Sequence, residues 1–468
     1  MKNMTLSAIA RACGGILHGE EKDGQRLAAS VVTDSRKAGR DSLFIAIAGA
    51  RVDGHSFIKD VYQNGALACV SEKPLDEETV GGHPYIEVKS SLQALKDIAE
   101  FYRTQLDIKV VGITGSVGKT STKETIAAVL SRKFNVLKTA GNFNNEIGLP
   151  LTVFQMTEET EVAVLEMGIS DFGEMTRLTQ IAKPDICVIT NIGICHLENL
   201  KNRDGILKAK TEIFKSMSED GYAVLNGDDD KLVTVTEVNG KAPEFFGIDN
   251  TDLRNGGGIY ADNITNMGLD GTVCDINVPK DDSDKYEIIN VHIPIPGRHM
   301  VYNAMAAAAV GTLMGLDADM IKAGIESLEA VSGRNHIIHA NNMIIIDDCY
   351  NANPVSMRAS IDVLCSAVGR KVCILGDMFE LGEDEKKLHR AIGEYAADKK
   401  IDVLIAAGTL AFEIAEGARG SRTEVHYYKD RDSMLDDIRN LLKPNDNILI
   451  KASHGMEFTK VVETLCNC

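Results

Sequence analysis

The segment Lys109–Thr120, KVVGITGSVGKT, decides the fold of this chain. Its first half, Lys109–Thr114, is a β-branched run that predicts a strand, and the apolar face of Thr120–Phe134 predicts a helix. The turn between them departs from the pattern GxxxxGK[ST], because Ile113 stands where that pattern has its first glycine. Glycines at 112, 115 and 118 still suit a tight turn whose backbone N–H groups bind an anion at a helix N-terminus. Since GKT follows a strand and opens a helix, we predict a phosphate-binding loop and not an ordinary glycine-rich turn.

Side chains in and near this loop are candidates for binding phosphate and a metal ion. Lys119 would neutralise charge on the β- and γ-phosphates, and the Thr120 hydroxyl would reach Mg²⁺. Glu166 ends the apolar run VAVLE, and the carboxyl end of a central strand is where open α/β sheets bind ligands, so we predict a metal role for it over a surface position. His196 follows a similar strand end; a lone histidine is more often structural, and only its position makes it a candidate. Spacing alone places Lys210 as an exposed helical lysine.

Strand-length apolar runs alternate with helical patterns along most of the chain. This alternation predicts a mostly parallel, doubly wound sheet around the phosphate loop. Its 468 residues suggest about three domains, and we place them at 1–107, 108–333 and 334–468. The first and third units are also of α/β type. The third is close to a Rossmann fold, but it lacks a GxGxxG turn, so dinucleotide binding there has no support.

Four segments have clear local signatures. Lys73–Pro84 is polar, with two prolines and paired glycines, and predicts a loop. Met300–Leu316 is apolar but too short and too polar to span a membrane, so it predicts a buried helix. The acidic runs Asp228–Asp230 and Asp281–Asp284 are expected to be solvated turns.

The composition excludes several functional classes. Lys and Arg number 50 against 68 Asp and Glu, which gives a net charge of −18. Such a surface repels nucleic-acid backbones and anionic membranes, so any phosphate must be held locally by a few aimed donors. The first residues lack the apolar core of a signal peptide. The ten cysteines contain no CxxC pair, and we therefore expect reduced thiols in a cytoplasmic protein, without disulfide or zinc.

Polar clusters follow two strands of the third unit. Asp347–Pro354 reads DDCYNANP, and Leu375–Gly382 reads LGDMFELG at the next strand end. Aspartate, asparagine and proline are common turn residues. They also place donors and acceptors at a sheet edge where ligands bind. On the residues alone, both interpretations stay open.

Together, these segments resemble the Mur ligase family along essentially the whole chain. The matching segments are TDSR (33–36), DGHSF (53–57), GITGSVGKTSTKE (112–124), GNFNNEIGLPLT (141–152), EMG (166–168), NIGICHLE (191–198), KTEIF (210–214), GRHMVYN (297–303), SGRN (332–335), DDCYNANPVSM (347–357) and LGDMFELG (375–382). The last two patterns distinguish one type within the family and make the resemblance specific.

The resemblance implies an N-terminal UDP-binding domain, a central ATPase domain and a C-terminal domain that brings the amino substrate. It implies a cytoplasmic ligase that adds D-alanyl-D-alanine to UDP-N-acetylmuramoyl-tripeptide in peptidoglycan precursor synthesis. ATP would phosphorylate the terminal carboxylate, and the dipeptide amine would attack the acyl phosphate. The implied cofactors are ATP and two Mg²⁺ ions, with Lys210 carbamylated. The protein is expected to be a monomer without nucleic-acid or membrane partners.

The resemblance also assigns roles by position. It gives catalytic roles to Lys119, Lys210 and His196, and metal binding to Thr120, Glu166, His196 and Lys210. Its ATP-binding residues are Gly115, Ser116, Val117, Gly118, Lys119, Thr120, Ser121, Asn303 at adenine, Arg334 at the phosphates and Asp348 at the ribose. Its substrate residues are Ser35 and Arg36 at the uridine nucleotide, Asn142, Asn144 and Asn145 at the muramoyl-peptide, and Asn351 and Asn353 near the dipeptide and nucleotide.

Two positions depart from the family pattern. Met300 stands where the family usually has asparagine, which bears on the adenine contact. Lys451–His454 reads KASH where the family reads like KGSR, and a neutral histidine holds an anion differently from a bidentate arginine. A ligase with another amino acceptor is therefore an alternative. The phosphate loop by itself also fits a non-catalytic module such as a GTPase-like switch, although the chain shows no NKxD-type element that reads guanine.

Overall fold

Three β-sheets, met one after another along the chain, organise the molecule. The computed structural model describes residues 1–49, 52–280 and 285–467. Within these residues the sheets have five, nine and six strands. The chain thus has three α/β domains with mainly parallel sheets, as the alternating pattern predicts.

The N-terminal domain has its parallel strands in the order β1-β5-β4-β3-β2, with only β1 antiparallel. Its strands are β1 Ile16–His18, β2 Ser30–Val32, β3 Ser42–Ile45, β4 Ala68–Ser71 and β5 Tyr85–Glu87, and its helices are α1 Leu6–Ala12, α2 Ile58–Gln63, α3 Glu77–Val80 and α4 Ser91–Thr104. Helix α4 attaches this domain to the next one. Its Tyr102 hydroxyl donates to the Met156 carbonyl oxygen at 2.7 Å, and its buried Arg103 donates to the Ala182 carbonyl oxygen at 3.1 Å.

In the central domain, the phosphate loop follows an internal strand of the sheet, the third from one edge. Its strands are β6 Lys109–Thr114, β7 Val136–Lys138, β8 Val162–Glu166, β9 Ile186–Ile189, β10 Tyr222–Asn226, β11 Glu244–Gly247, β12 Ile259–Asn266, β13 Thr272–Pro279 and β14 Tyr286–Ile293. Its helices are α5 Lys119–Leu130, α6 Gly148–Val153, α7 Glu174–Ala182, α8 Leu197–Leu200, α9 Arg203–Thr211, α10 Asp252–Gly256, α11 His299–Leu313 and α12 Ala318–Glu326. Strand order is β14-β13-β12-β11-β10-β9-β6-β8-β7. Strands β8 and β9 flank β6 in parallel, so the carboxyl ends of all three meet at one edge.

The C-terminal domain closes over that edge. Its strands are β15 His336–Ala340, β16 Met343–Asp347, β17 Lys371–Gly376, β18 Val403–Ala407, β19 Glu424–Tyr428 and β20 Asn447–Lys451, and its helices are α13 Pro354–Cys365, α14 Glu385–Asp398, α15 Ala411–Ala418, α16 Arg431–Leu441 and α17 Thr459–Cys466. The order is β15-β16-β20-β17-β18-β19, and only β15 runs antiparallel to its neighbour. The two polar clusters of this domain follow β16 and β17, which lie on either side of β20.

Several local predictions are confirmed and others are wrong. The strand Lys109–Thr114 is confirmed as β6, and the buried apolar helix is confirmed as α11. The loop prediction fails at α3, a single turn that Asp76 begins by accepting the Thr79 N–H at 2.9 Å. So short a helix has too few positions to show an apolar period.

The acidic run Asp228–Asp230 is a turn, as predicted, but only its last residue is exposed to solvent. The Asp228 carboxylate accepts the N–H groups of Ile248 and Asn250, each at 2.7 Å, and the Tyr302 hydroxyl at 2.8 Å. It thereby joins β11 to α11. The second acidic run, Asp281–Asp284, lies outside the described residues.

The sequence predicts reduced thiols and no membrane-spanning helix, and the structure can be compared with both predictions. Within the described chain, Cys13, Cys69, Cys187, Cys195, Cys274, Cys349, Cys365 and Cys373 are free thiols. Among the described residues, no helix has the length and apolarity needed to cross a membrane.

Candidate functional site

A cavity of about 500 Å³ lies between the central and C-terminal domains, over the carboxyl ends of β6 and β8. Its walls contain many of the residues predicted from sequence. These are Ser116, Val117, Gly118, Lys119, Thr120, Ser121, Asn142, Asn144, Glu166, Asn303, Arg334, Asp348, Asn351 and Asn353. The volume is that of a typical small-molecule site.

The phosphate loop adopts its shape because of two glycines. Gly115 has a φ of +151°, and a Cβ there would lie 1.9 Å from Oγ1 of Thr190. Gly118 has a φ of +85° and precedes the first residue of α5. Asn191, just after β9, fixes the loop: its Oδ1 accepts the Val117 N–H at 3.0 Å, and its Nδ2 donates to the Val117 carbonyl oxygen at 2.9 Å. The loop is thereby fixed at the start of a helix, a position where backbone N–H groups and the helix dipole favour an anion.

Two lysines converge on the loop. Lys119 Nζ donates to the Gly115 carbonyl oxygen at 2.9 Å, and Lys210 Nζ donates to the same oxygen at 3.0 Å. Removal from water lowers the pKa of Lys119, although nearby Glu166 opposes the shift. Burial, together with the charge of Lys119, lowers the pKa of Lys210 to about 7. The prediction that Lys210 is exposed is wrong, since it is 1% exposed on the inner face of α9.

Glu166 lies opposite the start of α5, as the strand-end argument predicts. Its Oε2 accepts the Thr120 hydroxyl at 2.9 Å, and its Oε1 accepts the Asn144 amide at 2.8 Å. The Arg334 guanidinium, which also lines the cavity, donates to the Thr120 hydroxyl oxygen at 3.2 Å. One hydroxyl, one carboxylate and one cation from three separate segments therefore meet where a phosphate chain would end.

His196 faces the C-terminal domain. It has a left-handed backbone, with φ +49°, and its Nδ1 lies 2.8 Å from Oε2 of Glu380, which is also left-handed at φ +62°. Burial lowers the pKa of His196, while Glu380 opposes that shift. Glu380 belongs to the LGDMFELG cluster, so this cluster does reach the central domain.

Asn303, on α11, belongs to the part of the cavity wall where the sequence resemblance expects adenine. Asn303 Oδ1 accepts the Thr122 hydroxyl at 2.9 Å, and Asn303 Nδ2 donates to Met300 Sδ at 3.2 Å. Phe246 and Tyr302 also line the cavity. The departure at Met300 thus places a thioether, a weak acceptor, against the amide expected to meet adenine.

The C-terminal domain contributes a buried polar network around Asp348. Its Oδ1 accepts the Asn335 N–H at 3.2 Å, and its Oδ2 accepts Lys451 Nζ at 2.6 Å and the Ser360 hydroxyl. Lys451 also donates to the Asn351 carbonyl oxygen at 3.0 Å. This ion pair holds the DDCYNANP turn at the rim of the cavity.

Other predicted residues lie at the rim or away from it. Asn353 begins α13, with its Oδ1 accepting the Ser356 N–H at 2.9 Å. Asn145 accepts the Gly148 N–H at 2.9 Å, which uses its side chain to begin α6. Ser35 and Arg36 lie in the N-terminal domain, outside the described lining of this cavity. The Arg36 guanidinium pairs with Asp34 and, by that hydrogen bonding, lowers the pKa of the carboxyl to about 2.

Sequence reasoning gave no site role to several further residues that line the cavity. They are Thr190, Asn191, Asn226, Phe246, His299, Tyr302, Asn335, Tyr350, Ser360 and Lys451. Asn191 and Lys451 each follow or end an apolar strand, a signal that would have pointed to them. Tyr350 stacks under Arg334, with the guanidinium 4.0 Å from the ring centroid, a contact that no spacing foretells.

A glycine-rich loop at a helix start, a carboxylate and two lysines lie beneath a second α/β domain. This arrangement is typical of enzymes that use a nucleoside polyphosphate where their domains meet. Profiles of the Mur ligase catalytic, middle and glutamate ligase domains match residues 28–103, 113–311 and 333–454. The chain belongs to the Mur ligase family.

Relatives of similar length indicate which member of the family the chain resembles. The chain is 36% identical over 476 residues to the UDP-N-acetylmuramoyl-tripeptide--D-alanyl-D-alanine ligase of Bacillus subtilis, with 99% of each chain covered. It is 34% identical to the enzyme of that name from Escherichia coli, again with 99% of each covered. Among solved structures, MurF from Acinetobacter baumannii superposes with a TM-score of 0.86 at 30% identity, covering 99% of both chains. MurF from Thermotoga maritima in complex with ADP gives 0.80 at 30% identity, covering 94% of this chain and 97% of that one.

Proposed function

We propose that this protein is an ATP-dependent ligase that joins D-alanyl-D-alanine to UDP-N-acetylmuramoyl-tripeptide in the cytoplasm, as a step of peptidoglycan precursor synthesis. The observation that carries the proposal is the meeting of Lys119, Glu166 and Arg334 at one cavity between two domains. Relatives that share the whole length of the chain bear the name of this activity. We propose domain boundaries at 1–107, 108–333 and 334–468, with the protein acting as a monomer.

The reaction requires activation of a poor electrophile. A carboxylate oxygen of the tripeptide attacks the γ-phosphorus of ATP, the bond to ADP breaks, and an acyl phosphate forms. The amine of the dipeptide then attacks the acyl carbon, loses a proton and expels inorganic phosphate, which leaves an amide. Lys119 and Arg334 would stabilise negative charge on the transferred phosphoryl group.

The donor set fits one Mg²⁺ ion with the nucleotide phosphates. Mg²⁺ is commonly held by one or two carboxylates together with substrate phosphates, and Glu166 lies 2.9 Å from the Thr120 hydroxyl at the phosphate loop. When bound, Mg²⁺ neutralises phosphate charge and orients the transferred group. We propose Glu166 and Thr120 as its ligands.

A second Mg²⁺ requires a chemical change at Lys210. Among the described residues, no cluster of three or more His, Cys, Asp or Glu side chains could hold a metal. His196 alone is not a site, and an ammonium group repels a cation. Carbamylation would turn Lys210 into an anionic oxygen donor beside His196. A pKa of about 7 favours that modification, because the neutral amine is the form that reacts with CO₂.

The substrates would be divided among the three domains. We propose that ATP is held by residues 115–121, by Asn303 at adenine, by Arg334 at the phosphates and by Asp348 at the ribose. Ser35 and Arg36 would face the uridine nucleotide. Asn142, Asn144 and Asn145 would lie along the muramoyl-peptide, and Asn351 and Asn353 would lie near the dipeptide and nucleotide.

Phosphate release from ATP tests the proposal. We expect release only when UDP-N-acetylmuramoyl-tripeptide and D-alanyl-D-alanine are both present. Sustained release without the dipeptide would reject the ligase assignment. Calorimetric titration with ATP and GTP separately addresses the GTPase-like alternative, which predicts a preference for GTP.

One structural observation is a reason to test amino acceptors other than D-alanyl-D-alanine. Ala452 is buried, and the ring of His454 lies 5.5 Å from that of Tyr350, so the KASH segment packs against the cavity rim without the arginine usual in the family. A screen of amino acids and dipeptides as acceptors decides this point. We expect D-alanyl-D-alanine to give the highest kcat/KM, and a better acceptor would replace it in the assignment.

A further inference from the structure

Lys123 is a buried cation near the cavity to which the proposed reaction gives no role. It lies on α5, one turn after Thr120, and is 1% exposed. Its Nζ donates to the Thr139 carbonyl oxygen at 2.7 Å and lies 2.9 Å from Oε1 of Glu124. Burying a lysine costs free energy that an apolar side chain of similar volume avoids. The contact with the Thr139 carbonyl oxygen suggests a role for which this buried lysine is needed.

Thr139 connects this lysine to Glu166. It follows β7, and its N–H donates to the Val164 carbonyl oxygen at 3.1 Å. Its hydroxyl accepts the Glu166 N–H at 3.0 Å. Lys123, Thr139 and the backbone of Glu166 therefore form one continuous chain of hydrogen bonds.

The segment after Thr139 returns to the same carboxylate. Its Asn144 amide donates to Glu166 Oε1 at 2.8 Å, and the Gly168 N–H donates to the Asn144 carbonyl oxygen at 2.9 Å. Glu166 is thus held at its backbone through Thr139 and at its side chain through Asn144. Both contacts come from the one segment that begins at Thr139.

The ion pair with Glu124 does not itself explain the lysine. Glu124 also pairs with Lys138, a half-exposed side chain, so its carboxylate has a second cation at hand. Of these two lysines, Lys123 is the one whose Nζ contacts the Thr139 carbonyl oxygen. The chain therefore offers a matched control, because Glu124→Gln removes the ion pair and leaves the Thr139 contact.

We propose that Lys123 is a positioning residue that fixes Glu166 opposite Thr120 by holding the Thr139 carbonyl oxygen. Its effect is on the divalent cation that binds with the nucleotide phosphates. The role rests on the proposed function, since that function places the cation at Glu166 and Thr120. Neighbours that hold a metal ligand in place typically change metal affinity or activity about 10- to 100-fold when they are replaced.

The test measures cation binding apart from ligase turnover. Mn²⁺, a paramagnetic substitute for Mg²⁺, is titrated into the full-length protein with ADP present and followed by electron paramagnetic resonance. We expect Lys123→Met to weaken Mn²⁺ binding about 10-fold or more and to lower kcat, with the KM for the dipeptide unchanged. Thr139→Val, which deletes the hydroxyl that accepts the Glu166 N–H, should act in the same direction. Lys123→Arg should recover part of the loss, and Glu124→Gln should bind Mn²⁺ like the unaltered protein.

Three results would overturn the role of Lys123. These are unaltered Mn²⁺ binding and kcat in Lys123→Met, an equal loss of Mn²⁺ binding in Glu124→Gln, or unaltered Mn²⁺ binding in Thr139→Val. If Lys123→Met does not fold, Thr139→Val decides. Failure of the ligase assignment looks different, because the unaltered protein would then bind Mn²⁺ with ADP and form no amide product.

Discussion

Lys119 and Lys210 share one acceptor, the carbonyl oxygen of Gly115, at 2.9 and 3.0 Å. Two ammonium groups on one oxygen repel each other, and the pKa of each is lowered by burial. A polyphosphate would relieve this repulsion by supplying several negative charges. While Lys210 carries no carbamate, the two lysines put a local excess of positive charge at the loop of a protein whose net charge is −18.

Replacement of Lys119 tests the phosphate-loop role directly. We expect Lys119→Ala to lower kcat for phosphate release by at least about 100-fold, the order of loss seen when an aimed donor to transition-state charge is removed. The fold should survive, because the side chain bonds only to a loop carbonyl oxygen. Circular dichroism checks the fold. Near-normal turnover in the folded variant would contradict the assignment.

Single residues also show why the site was only partly predictable. Lys119 and Thr120 could be placed because they follow an apolar strand and a glycine-rich turn. Glu166 could be placed because it ends an apolar strand, so a local pattern fixes each of these positions. Lys210 could not, because it reaches Gly115 across 95 positions of sequence. A lysine at this position in a helical sequence pattern is usually exposed. Lys210 is buried because the packing of α9 brings its side chain to the phosphate loop.

At the scale of elements, the turn after β17 is held by α14. His389, which is fully buried on α14, accepts the Met378 N–H at Nε2 at 2.8 Å and donates from Nδ1 to the Glu385 carbonyl oxygen at 2.7 Å. These two bonds require the neutral imidazole, because a proton on Nε2 would remove the acceptor. The turn that carries Glu380 towards His196 thus depends on one unprotonated ring.

This geometry predicts a loss of stability in acid. Burial lowers the folded-state pKa of His389 below its ordinary value of 6.5. The unfolded chain therefore binds the proton first, so the stability is present above pH 6.5 and is lost as pH falls towards the folded-state pKa. The slope approaches about 1.4 kcal/mol per pH unit for one proton.

Urea unfolding at pH 7.5 and pH 5.0 measures this contribution against His389→Gln, whose amide does not titrate. Other titrating groups are common to both proteins and cancel in the difference between them. We expect the free energy of unfolding to fall more in the unaltered protein. An equal fall in both proteins would show that His389 does not contribute.

Elements differ in how well sequence predicts them. Strand β6 and the start of α5 follow from local periodicity and glycine placement, and the structure confirms them within a residue or so. Short or edge elements such as β7 and β11 were not predicted, since three or four residues carry little periodicity. The pairing of β16 and β17 with β20 brings both polar clusters to one edge. It depends on a strand whose residues lie about 100 positions after their partners in β16 and about 76 after those in β17.

At the scale of the whole molecule, the cavity exists because the C-terminal domain lies over the phosphate loop. Arg334 spans the two domains, donating to Thr120 at 3.2 Å while its guanidinium lies 4.0 Å from the Tyr350 ring centroid. The order of motifs predicts three domains. It does not predict which side chains meet between them, because that depends on how the folded domains pack.

The Tyr350 ring is expected to hold the Arg334 guanidinium in place where the two domains meet. A cation over an aromatic face is stabilised by about 0.5 to 2 kcal/mol, so Tyr350→Leu should raise the KM for ATP about 2- to 30-fold by freeing the Arg334 guanidinium. Tyr350→Phe keeps the ring and should stay near the unaltered KM, which separates stacking from any effect of the hydroxyl. Steady-state phosphate release at varied ATP, with both other substrates saturating, supplies the measurement. A KM for ATP that is unchanged in Tyr350→Leu would mean that Arg334 is held at Thr120 without the ring, and that the two domains meet there through the hydrogen bond alone.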